Sequence, residues 1–172
     1  FPIITLFFGF FMYIAARGAA EQEKKGSGSK KNNSTITFVA GILSIMVFDI
    51  LTFYFLYADF HQVENLNDMP FSLTKISFGV LGIALIILGN IMPKLKRNSI
   101  IGLRTPWSVK NVVVWKKSQR FCGILFMLSG IIILILCFLL EGTLLTVISL
   151  VLLVSAAIAG GIYSYLAAQK EA

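Results

Sequence analysis

Long uninterrupted apolar runs govern what this chain can fold into. Ile36–Ala58, Leu73–Met92, Phe121–Leu140 and Leu144–Leu166 each reach the roughly 20 mostly apolar residues that a helix needs to cross a bilayer. A fifth run, Pro2–Ala16, is shorter and opens the chain. A chain of 172 residues that is 57% hydrophobic and 13% charged, with a mean hydropathy of +0.85, carries more apolar surface than a domain of its size can enclose. Lipid is the remaining solvent. The expected fold class is an all-α integral membrane protein. It is one domain over 1–172, a bundle of five transmembrane helices at about 2–16, 36–58, 73–92, 121–140 and 144–166. The chain begins on Phe1 rather than Met, and an upstream segment is expected. No basic region precedes the first run, so it does not read as a signal peptide.

The net charge of +7 is a topology signal, because it is segregated. Arg17, Lys24, Lys25, Lys30 and Lys31 fall in the connector 17–35. Lys94, Lys96, Arg97, Arg104, Lys110, Lys116, Lys117 and Arg120 fall in the connector 93–120, which has no acid. The connector between them, Asp59–Phe71, carries Asp59, Glu64 and Asp68 and no Lys or Arg. Lys and Arg in short loops favour the cytoplasmic side. The basic connectors and the C-terminus are thus expected in the cytoplasm, and direct nucleic-acid binding is not. Within the first of them, Glu21–Ser34 is rich in Gly, Ser, Lys and Asn and reads as a flexible solvated loop.

Cys122 and Cys137 share one expected helix, about 22 Å apart by helix rise, too far to bond to each other. The last helix carries the small-residue pairs Ser155/Ala159, Ala156/Gly160 and Ala157/Gly161, which let helices approach closely in lipid. Gly79, Gly82, Gly123 and Gly130 offer matching grooves, for packing within the bundle or for dimerisation.

Polar residues inside the spans are the costly ones. Asp49 sits amid Val47, Phe48, Ile50 and Leu51, where an acid costs about 2.5–3.5 kcal/mol. It is expected to face the bundle interior, with Lys75 as a partner or as part of a ligand pocket or proton path. Asn90 is the other polar candidate near such a path. His61, the single histidine, reads as part of a solvated loop. No catalytic constellation, metal-ligand spacing or phosphate loop is present in the sequence, so neither enzyme chemistry nor a cofactor or metal is expected.

The connector 93–120 is longer than two adjacent helices require. Pro106 pushes Thr105 toward extended geometry, Gly102 permits close backbone approach, and Arg104 is expected in an irregular, partly buried loop. Ser108 is a candidate cap for a short amphipathic helix over Val109–Arg120. That helix would lie on the inner leaflet, with Trp107 and Trp115 among headgroups and lysines toward anionic lipid.

The run from Gly89-Asn90 through Asn98, Gly102, Arg104, Thr105, Pro106, Trp107 and Ser108, followed by Trp115, Gln119-Arg120 and Gly123, resembles the signature of the SdpI immunity-protein family of bacterial multi-helix membrane proteins. The resemblance implies a bacterial cytoplasmic-membrane protein on a six-helix plan, with Phe1–Ala16 as its second helix. It also implies protection against a secreted membrane-active peptide toxin on the outer side, and in some members capture of a cytoplasmic transcriptional repressor. The residues it marks are Asn98, Gly102, Arg104, Thr105, Pro106, Trp107, Trp115 and Arg120. Ser118-Gln119 stands where Thr-His or Thr-Asn is commoner, and Lys110–Val113 stands where similar proteins are often acidic. The leading expectation is a non-enzymatic immunity or signalling protein. The alternatives are a small-solute or peptide transporter using Asp49 and Arg104, and a structural subunit packing through the last helix.

Overall fold

The computed structural model describes residues 2–25, 32–66, 69–98 and 101–171. Among them the regular structure is helical: α1 (Pro2–Lys25), α2 (Asn32–Phe60), α3 (Leu73–Ile91), α4 (Pro106–Lys110), α5 (Val112–Leu139) and α6 (Gly142–Gln169), with a 3-10 turn at Met92–Lys94. Four helices, those of α2, α3, α5 and α6, are long and apolar enough to cross a membrane, while the apolar part of α1, Ile3–Gly18, is shorter. Ile131, Ile135, Val147, Val151, Val154 and Ile158 are all exposed at mid-helix. Apolar surface of this extent is not left to water, and on helices of this length and hydropathy it matches a bilayer, the architecture of a helical membrane protein.

Three boundaries differ from the sequence-based expectation. First, α1 continues through Arg17 to Lys25 and α2 begins at Asn32. The expected loop at Glu21–Ser34 is therefore largely helix end, and its middle, residues 26–31, lies outside the described residues.

Second, the separate amphipathic helix over Val109–Arg120 does not form. A five-residue α4 ends at Lys110, and Val112 to Leu139 is one continuous helix of 28 residues. Nothing between Lys116 and Phe121 breaks a helix, and Asn111, whose side chain accepts from Val113 N–H at 2.8 Å, caps the joined element. Third, Ser108 is not the cap of that helix; it sits at the third position of α4, and Thr105 is the cap.

The glycines position the central pair. Antiparallel α3 and α5 meet at Gly82/Gly130 and Gly89/Gly123. A Cβ on Gly89 would lie 2.5 Å from Gly123 O, and one on Gly130 2.5 Å from Gly82 O. These glycines therefore serve α3 against α5 and not the last helix. On α6 the pair in use is Ala156/Gly160, both buried, with a Cβ on Gly160 falling 2.5 Å from Cys122 Sγ. Burial is densest at the end of the bundle that holds the 93–120 connector, where Ile36, Met92, Leu95, Trp115 and Cys122 form one cluster.

The expected partnership of Asp49 is not found. Asp49 lies on an exposed face of α2, and Lys75 instead pairs with Glu141 in the turn between α5 and α6. The cause is reach: Lys75 is in the first turn of α3, level with that turn and a helical stretch away from Asp49. Asn90 is also exposed.

Candidate functional site

The connector folds back on the first turns of α5 and closes with a two-point clasp. Leu103 N–H donates to Gln119 Oε1 at 3.1 Å, and Gln119 Nε2 donates to Leu103 O at 2.9 Å. Gln119 is fully buried, and its amide thus satisfies one residue's backbone as a neighbouring strand would. Gly102 makes the approach possible. Its φ is +110°, a region that disfavours other residues, and a Cβ there would stand 2.9 Å from Gln119 Oε1.

The next residues are tied just as closely. Thr105 and Ser108 form a reciprocal capping box: Ser108 N–H donates to Thr105 Oγ1 and Thr105 N–H to Ser108 Oγ, each at 3.0 Å. Pro106 takes the first helical position, where its missing N–H costs nothing. The Ser108 hydroxyl donates to Leu103 O at 3.0 Å, and Thr105 Oγ1 shares a hydrogen bond with Ser164 Oγ of α6. The loop is thereby joined to both α5 and α6.

Trp115 anchors the other side. Its indole N–H donates to Leu95 O at 3.0 Å and the side chain is fully buried, so it is a core pillar and not a headgroup-level residue as the sequence reading had it. Its place on α5, one turn before Gln119, turns it inward under the connector. Asn98 shapes the entry to the loop, accepting from Ile101 N–H at 2.8 Å and donating to Lys96 O at 2.7 Å; Ser99 and Ile100 lie outside the described residues. Arg97 donates to Val109 O and Lys110 O, both at 3.2 Å, satisfying carbonyls at the end of α4.

Gly102, Thr105 and Trp115 are thus brought together, while Arg104, Trp107 and Arg120 point outward. Arg104 is exposed, a correction to the partly buried position expected of it, because Leu103 on one side and Thr105 on the other take the inward contacts. Trp107 is 40% exposed and meets Tyr165 edge-on, ring centres 5.1 Å apart. Asp49, Lys75 and Asn90 are no part of this assembly. Sequence reasoning passed over Gln119 and Ser164 as site residues. The signal for Gln119 was its place beside a signature tryptophan, on the same face of a helix.

Beneath the clasp is an apolar cavity of about 320 Å³, lined by Ile36, Met92, Leu95, Leu103, Cys122 and Phe126 among others. A second apolar cavity, of about 240 Å³, lies at the opposite end of the bundle among Phe53, Tyr54, Tyr57, Pro70, Phe71 and Ile76. Among the described residues no three His, Cys, Asp or Glu side chains converge, and His61 is exposed and stacks on Tyr57 at 4.1 Å.

The sequence of this region is similar to that of known proteins. The SdpI/YfhL protein family model matches residues 94–164, from the start of the connector to the Ser164 that holds Thr105. The chain is also similar to the Immunity protein SdpI of Bacillus subtilis (strain 168), at 41% identity over 90 residues. That match spans 52% of this chain and 42% of the relative, less than half the relative's length. No solved structure matches the chain. Through the segment that builds the clasp, α5 and most of α6, the chain is similar to the SdpI/YfhL family.

Proposed function

We propose that this chain is a bacterial immunity protein of the cytoplasmic membrane, acting without catalysis to protect the cell that makes it from a secreted membrane-active peptide. The observation that carries the reading is the 41% identity to an immunity protein, together with a family match that includes the hydrogen-bonded clasp. In this reading the acid-bearing connector lies outside, and the clasp and the C-terminus lie in the cytoplasm. The peptide is met from the outer side, where the aromatic cavity around Tyr54 and Phe71 opens. The exposed Arg104–Trp107 edge faces the cytoplasm and offers a charged and an aromatic contact to a soluble partner such as a transcriptional repressor. A response at one end to a ligand at the other requires two states with different affinities, and α5, which reaches both ends, is the element to carry it. A transport path through Asp49 and Arg104 gains no support, since neither residue lines either apolar cavity.

The test is survival of toxin-sensitive bacteria challenged with a membrane-active peptide, comparing the intact protein, Arg104→Ala, Trp107→Ala and an empty vector at matched membrane levels. The intact protein is expected to protect. Loss of protection in the two variants assigns the exposed edge to the response. Equal protection by both variants removes that edge from the mechanism, and no protection by the intact protein removes the immunity reading for the toxins used.

A further inference from the structure

A groove of about 760 Å³ runs between the connector-end turns of α5 and α6. On α5 it is lined by Lys117, Arg120, Phe121 and Ile124, and on α6 by Tyr163, Leu166, Ala167 and Lys170. Both sets follow the same spacing, i, i+3, i+4 and i+7, so each is one continuous face of its helix. Phe121 and Tyr163 stack across the groove, ring centres 4.1 Å apart and planes 14° apart. Buried Ala167 keeps the wall shallow, and Ile124 on α5 and Tyr163 on α6 continue the apolar lining toward the middle of the bundle.

The cations are not used up internally. Lys117 is paired with Glu171, but Arg120 and Lys170 are exposed and have no side-chain partner among the described residues. Their depth is also set. With 28 residues, α5 is about 42 Å long, longer than the roughly 30 Å hydrocarbon core, so its first turns reach headgroup level beside the last turns of α6. The same end carries Trp107 and Tyr165 in edge contact, as aromatic residues commonly sit at a membrane interface.

We propose that this groove is a binding site for an anionic phospholipid. Arg120 and Lys170 hold the headgroup phosphate, and an acyl chain lies along Phe121, Tyr163 and Ile124. A planar guanidinium offers paired donors to phosphate oxygens, and a basic notch above an apolar slot matches a lipid in both charge and depth. The site depends on α5 and α6 crossing the bilayer and is independent of toxin protection.

The experiment is native mass spectrometry of the full chain released from detergent, with phosphatidylglycerol or phosphatidylcholine of the same acyl chains. Phosphatidylglycerol is expected to be retained roughly tenfold better, the double variant Arg120→Gln/Lys170→Gln to lose the preference, and the control Lys94→Gln/Lys96→Gln to keep it. Millimolar inorganic phosphate is expected not to displace the lipid. Equal retention of the two lipids, or an unchanged preference in the double variant, overturns the proposal. Displacement by phosphate overturns it in favour of a free-anion site. Should the double variant fail to fold, Lys170→Glu, at the exposed end of α6, decides by its own several-fold loss or lack of one.

Discussion

Ser118 and Gln119 are neighbours on α5 and both are fully buried, yet their polar atoms fare oppositely. Gln119 spends its amide on Leu103, while Ser118 Oγ has no partner among the described residues. A buried polar group left unpaired costs about 1–3 kcal/mol. Gln119→Ala strands Leu103 N–H, leaves Leu103 O with the Ser108 hydroxyl alone, and is expected to lower stability by about 1–3 kcal/mol. Ser118→Ala removes an unpaired hydroxyl and is expected to be neutral or stabilising by about 1 kcal/mol. Thermal unfolding of the two variants in detergent checks the contrast, and equal losses would mean that the clasp is not what holds the connector. The residue types for the clasp were legible in the sequence, since Gly102, Thr105, Pro106 and Trp115 were all marked. Their use was not: Trp115 and Gln119 looked peripheral because lysines surround them, and only the continuity of α5 turns them inward. Asp49 was misjudged for a related reason. Its cost was visible, but which way α2 faces depends on neighbours far away in sequence.

At the level of elements, the four apolar spans follow from hydropathy alone, because backbone hydrogen bonding in lipid leaves a helix little alternative. What hydropathy does not encode is which helices touch. The glycines at 79, 82, 123 and 130 were read as grooves for the last helix; Gly79 faces open space, Gly89 takes its place, and the partner is the other central helix, since small-residue spacing marks a close approach without saying what approaches. Their real pairing makes Gly123→Ala a sharp probe. The added methyl meets Gly89 O at 2.5 Å and Pro93 Cδ at 3.0 Å, contacts that backbone and proline cannot yield, so about 1–3 kcal/mol of destabilisation is expected. Gly161→Ala, with open space around it, serves as the neutral comparison in the same thermal assay. The end opposite the clasp is fastened differently, by the exposed pair of Lys75 and Glu141. Lys75, by hydrogen bond and charge, holds the Glu141 carboxyl below its usual 4.5. A depressed carboxylate contributes fully above its unfolded value and loses that contribution as pH falls through the folded one. Glu141→Gln should therefore trail the parent slightly in thermal midpoint at pH 7 and match it at pH values well below 4.5. A gap that persists in acid would mean the pair contributes nothing through charge.

Taken whole, the molecule has two unlike ends. One is closed by a web of buried hydrogen bonds and the other carries an aromatic cavity and the Lys75–Glu141 surface ion pair, with lipid-facing apolar side chains between. The family segment, residues 94–164, covers the closed end and the two helices that leave it. The clasp has a mechanical consequence. Advancing α5 along its own screw by one residue moves it about 1.5 Å and turns it about 100°, which Gln119 cannot follow while keeping both bonds to Leu103. Rotation of α5 and the seating of the connector are therefore geared, as a shaft is to the dial fixed on it. A turn of the shaft would carry the dial with it, and with the dial the exposed side chains of Arg104 and Trp107.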